Sequence, residues 1–94
     1  ARSAGISTSA VGALNELRVA ADLLQRGFHV FRALSPACPC DLIVLVGNKA
    51  LKVEVKTGYV RPGGKLYRAP SRRNEEFDVL AIATPDDIRY EPPF

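Results

Sequence analysis

The order of periodic segments predicts an α+β domain: one helix, three strands, a basic irregular connection and two further strands. Three observations carry that prediction. Apolar residues recur at helical spacing between Ser9 and Arg26, two apolar runs flank the turn pair Gly47-Asn48, and a continuous apolar run, FDVLAIAT, follows late in the chain. With 94 residues, 47% hydrophobic and 24% charged, the chain has material for one core and no second one. Residues 9–94 are expected to form a single domain after a flexible, Gly/Ser/Ala-rich segment at 1–8.

The helix is expected from about Ser9, as N-cap, to Arg26, with Gly27 in the left-handed position that ends helices. At about 100° per residue, Ala10, Leu14, Leu17, Ala21 and Leu24 share one side, continuing through Ala13, Ala20 and Leu23, while Asn15, Arg18, Asp22, Gln25 and Arg26 fill the other. Glu16 alone breaks the segregation, projecting between Ala20 and Leu23. FHVFRAL reads as a strand, and the Ser-Pro-Ala-Cys-Pro segment as a loop leading to Asp41. DLIVLV and KALKVEVKT read as a hairpin, because Gly-Asn suits a two-residue turn. A ragged hairpin is expected around Gly63 and Gly64. FDVLAIAT reads as a buried strand, and IRYEPPF as a short edge strand ended by its prolines.

Charges inside a sheet cost several kcal/mol unless paired, so Asp41, Glu54 and Lys56 require an explanation. If Gly47 and Asn48 form the turn, Asp41 falls opposite Glu54, and Lys56, two residues on, projects from the same face. The other face, Leu42, Val44, Leu51, Val53 and Val55, is apolar and should meet the core. Two opposed carboxylates repel each other, and a divalent cation with oxygen ligands and water removes that objection. Magnesium held by Asp41 and Glu54 would polarise a phosphate and acidify a bound water, with Lys56 orienting that water or stabilising developing charge. Glu16 would add a carboxylate, directly or through water. The bland alternative is a surface-facing hairpin in which Glu54 pairs with Lys52 or Lys56.

The net charge is +3, and no acidic residue stands between Lys56 and Asn74. Arg61, Lys65, Arg68, Arg72 and Arg73 in that interval are candidates for contacting a nucleic-acid backbone; alone, such a run is often only a solvated loop. Cys38 and Cys40 with the single His29 do not supply four zinc ligands, so zinc is not expected. Both cysteines are read as reduced and His29 as structural. No segment approaches the roughly 18 to 20 apolar residues of a membrane span, and the expected setting is the cytoplasm.

At these residues, ELRVAADLLQRGFHVFRA, CDLIVLV, ALKVEVKTG and FDVLAIATPDDIRYEPP, the sequence resembles the PD-(D/E)xK nuclease superfamily over roughly residues 10–93. The similarity is to its compact members, archaeal Holliday-junction resolvases and homing endonucleases of group I introns. The resemblance implies a restriction-endonuclease-like core, the N-terminal helix packed on a mixed sheet of about five strands. It implies Glu16 as the helix glutamate, Asp41 and Glu54 as acidic ligands, the carbonyl of Val55 as a further ligand, and Lys56 as the catalytic lysine. The motif's proline is displaced, Cys40 standing between Pro39 and Asp41. Pro and Gly occupy the region after the lysine strand where a helix often runs, which favours the homing-endonuclease-like group. The implied function is magnesium-dependent DNA cleavage, manganese substituting, by a homodimer or higher oligomer with one site per strand. Two other classes compete: a nucleic-acid-binding module without catalysis, and a structural or partner-binding protein of phage or antitoxin type.

Overall fold

The computed structural model describes residues 7–35, 37–68 and 76–94, and the backbone only of Arg68. Expectations on the first six residues, on Arg72 and Arg73, and on the Arg68 side chain lie outside that description.

Helix α1 runs over Thr8–Gln25. Ser7, two residues before the expected cap, starts it: its hydroxyl oxygen accepts the Ala10 N–H at 3.1 Å. Its end follows expectation. Gly27 takes φ 91°, its N–H donating to Leu24 O at 3.0 Å and that of Phe28 to Leu23 O at 3.2 Å, the paired bonds that close a helix on a left-handed residue.

Among the described residues six strands follow: β1 His29–Arg32, β2 Leu42–Val46, β3 Lys49–Val60, β4 Leu66–Arg68, β5 Val79–Ala83 and β6 Ile88–Glu91. The sheet order is β1-β2-β3-β5-β6, with β4 pairing β3 off that path. Among the described residues only β3 and β5 run parallel; the other pairs are antiparallel, so the sheet is mixed. The β2–β3 hairpin adopts the expected register, from Val46 opposite Lys49 back to Leu42 opposite Val53, with Gly47 at φ 63° in the turn. β5 is buried along its whole length because β3 and β6 flank it and α1 lies beneath. The ragged hairpin is β4 returning along β3.

The core gathers Val19 and Leu23 of α1 with Leu42, Val44, Val53, Val79, Ala81, Ala83 and Tyr90 of the sheet. The helix therefore presents a different side from the one its leucines suggest. Its buried residues are Asn15, Val19 and Leu23, whereas Leu14, Leu17 and Leu24 are about half exposed. At 100° per residue the leucine stripe lies on nearly the opposite side. Asn15, expected on the polar side, is admitted to the interface because it is paired: its amide donates to Thr57 Oγ1 at 2.9 Å, and its carbonyl accepts from Arg18 at 3.0 Å. Tyr90 donates its hydroxyl to Asp22 at 2.6 Å, tying β6 to the helix. Burial first, and then that bond, push the phenol well above its ordinary range.

Candidate active site

Three strands converge on Asp41. Its carbonyl accepts the Ala33 N–H at 3.2 Å and its own N–H donates to Val53 O at 3.1 Å. Val53 is already opposite Leu42, so Asp41 stands one step out of register, a bulge rather than the ladder position opposite Glu54 that the turn count predicts. Its carboxylate does the ladder's work instead: Oδ2 accepts the Val55 N–H at 2.8 Å. A side-chain oxygen replaces a backbone carbonyl, which fixes Asp41 against the peptide joining Glu54 to Val55.

Glu54 and Lys56 alternate with core-facing Val53 and Val55, so they share the opposite face, beside Leu80 and Ile82 of β5. Glu54 is 3% exposed, and the Lys56 ammonium lies 3.9 Å from its Oε2. The surface-facing alternative is thereby excluded as to exposure, though its Glu54–Lys56 pairing is present; Lys52 pairs instead with Glu76 at 3.4 Å. A buried carboxylate next to a nearly buried ammonium is costly to assemble for stability alone.

Glu16 reaches the same end of the sheet from α1, because the side of the helix that is buried carries it to the rim. Arg32 Nε is 3.9 Å from its Oε1. Burial, then the nearby Asp41 charge, raise the Glu16 carboxyl above its ordinary value, with Arg32 opposing. Two carboxylates thus feel each other across the helix–sheet rim. Among the described residues no three His, Cys, Asp or Glu side chains group tightly enough to hold an ion by themselves. An ion bound here would therefore need backbone-carbonyl and water oxygens beside the carboxylates, the hard-oxygen chemistry of a divalent cation.

Arg61 and Lys65 occupy the tip of the β3–β4 hairpin and are exposed. Cys38 and Cys40 are free, 3.8 Å apart; burial and the Cys38 contact push the Cys40 thiol up to about 11. His29 is exposed. Four contributors escaped the sequence reading: Asn15 and Arg32, whose partners are distant in sequence, and the tyrosines Tyr59 and Tyr67. For the tyrosines a signal existed, since both stand equally far from the Pro62-Gly63-Gly64 turn.

A family model described as PD-(D/E)XK endonuclease matches residues 6–87. The chain belongs to the PD-(D/E)XK endonuclease family. Among solved structures, this endonuclease-family chain is similar to that of a bacterial homing endonuclease, I-Ssp6803I, with a TM-score of 0.74 and 23% identity over 85% of this chain. It spans 59% of that structure's length. The likeness establishes the restriction-endonuclease-like fold. A search of the curated proteins finds no match.

Proposed function

We propose that this family member is a magnesium-dependent DNA endonuclease that hydrolyses phosphodiester bonds, with Asp41, Glu54 and the Val55 carbonyl as metal ligands and Glu16 engaged through water. The observation that carries the reading is the 2.8 Å bond from Val55 N–H to Asp41, which ties the first acidic residue to the Glu-x-Lys strand at the residue whose carbonyl would be a ligand. A magnesium or manganese ion held there supplies Lewis acidity towards the phosphate and acidifies water. The chain's residues do the rest. Asp41 is oriented before substrate arrives, because one oxygen is committed to the backbone. Lys56 holds a positive charge at a nearly dry position, where it stabilises negative charge developing on the phosphate. Glu16, with its carboxyl raised by burial and by Asp41, is suited to accept a hydrogen bond from water. Zinc is not part of the proposal, since two cysteines and one histidine fall short of four ligands.

The basic residues Arg61, Lys65, Arg68, Arg72 and Arg73 are proposed to hold the DNA backbone, and a homodimer or higher oligomer to bring one site to each strand. The substrate is either a branched structure, as for junction resolvases, or a homing-type duplex site, and the setting proposed is the cytoplasm. Among the described residues no helix is long and apolar enough to cross a membrane. The test is cleavage of four-way junction, flap, single-stranded and linear duplex DNA with magnesium, manganese or chelator. Cleavage that vanishes with chelator and in Asp41→Asn supports the proposal; no cleavage of any substrate with either metal, or cleavage that resists chelator, refutes it.

A further inference from the structure

The β3–β4 hairpin carries a face that the hydrolytic chemistry leaves unused. Pro62 and Gly63 turn the chain, with Gly63 at φ 99° and Gly64 N–H donating to Arg61 O at 2.9 Å, and Arg61 N–H donates to Lys65 O at 3.0 Å. Tyr59 stands opposite Tyr67, and the Arg61–Lys65 pair follows one step beyond on the same side. The tyrosine rings are parallel to within 17° at 6.1 Å. The Arg61 guanidinium lies 4.1 Å from the Tyr67 ring centre, and the Lys65 ammonium 5.6 Å from it. The other side of the ribbon is seated on the sheet. A β-carbon placed on Gly58 would come within 2.5 Å of Ile82 Cγ2 and 3.0 Å of the Tyr67 carbonyl, so only glycine lets the ribbon lie this close.

We infer that this hairpin is a base-reading element that enters the major groove of duplex DNA, where Arg61, held on Tyr67, recognises guanine. This rests on the endonuclease reading for its substrate. The major groove, about 12 Å wide, admits a two-stranded ribbon, whereas the deep, narrow major groove of RNA helices does not. Contact with the Tyr67 ring at 4.1 Å holds the guanidinium in place, and its planar N–H fork matches guanine O6 and N7. A residue needed only for phosphate attraction would not require that anchoring.

The test is selection from a randomised duplex library by the whole chain, in chelator so that binding is read without cleavage. Wild type is expected to enrich sites bearing a fixed guanine. Arg61→Lys keeps the charge and should retain bulk duplex affinity within about twofold while losing about tenfold of the guanine preference. Tyr67→Phe should behave as wild type and Tyr67→Ala as Arg61→Lys. A wild type that enriches no guanine-bearing site, or an Arg61→Lys variant that keeps the preference, overturns the inference. Because no cleavage is measured, an Arg61-dependent preference in a chain that never cuts DNA would sink the endonuclease reading alone. Magnesium-dependent cutting without that preference would sink only this one.

Discussion

Replacing Lys56 by methionine removes the ammonium beside a buried carboxylate while keeping most of the side chain's volume. At 3.9 Å the pair's attraction is about 4 kcal/mol for an effective dielectric near 20, an upper figure because the partners' desolvation opposes it. Glu54 at 3% exposure is poorly served by water, so removing this cation from beside it should cost about 3 kcal/mol at pH 7. Urea unfolding of wild type, Lys56→Met, Glu54→Gln and the double variant closes a cycle that isolates the pair from each residue's other contacts. A coupling of about 2 kcal/mol or more at pH 7 is expected, with cleavage lost in both single variants and metal binding kept in Lys56→Met. A coupling under about 0.5 kcal/mol would refute the reasoning.

Three further outcomes follow from the same geometry. Asp41→Asn keeps an oxygen that can accept the Val55 N–H, so it should fold as wild type yet fail to cleave, whereas Asp41→Ala should also lose about 1–3 kcal/mol in urea melts. Glu16 has its carboxyl raised, so the folded state binds that proton more tightly than the unfolded chain. The resulting stability is fully present below the unfolded value of 4.5 and is lost as pH rises through the folded one. Glu16→Gln should therefore gain on wild type in unfolding midpoint as pH climbs above 4.5, and added magnesium should narrow the gap. Leu23→Ala should cost about 3 kcal/mol, while Leu17→Lys should stay within about 0.5 kcal/mol, measured by the same melts; equal costs would put the helix the other way round.

Local pattern was enough for the element order, the β2–β3 register, the burial of β5 and the placement of Glu54 and Lys56 on one side of one strand. Each of these depends on residues close in sequence: a turn that fixes pairing, a period of two that fixes facing, a glycine that ends a helix. The Glu-x-Lys pattern and Asp41 were legible for the same reason. What local pattern did not decide was which side of α1 turns inward. The helix offers a broad arc running from Leu23 round to Leu14, and summed hydrophobicity favours its leucine-rich part. The sheet took the side with Val19 and Leu23 at its centre, where Asn15 finds Thr57 and Glu16 comes near Asp41 and Arg32.

The bulge at Asp41 was hidden likewise. Counting from the turn gives a ladder position, but the Val55 N–H is satisfied by a side-chain oxygen, and which acceptor serves it is settled only when the chain from β1 arrives. Sequence by itself determined the elements and singled out the candidate site residues, because periodicity, turns and caps are local. Tertiary structure alone decided the orientation of α1, the attitude of Asp41 and the contact of Arg61 with Tyr67, because each depends on partners that only packing brings within reach.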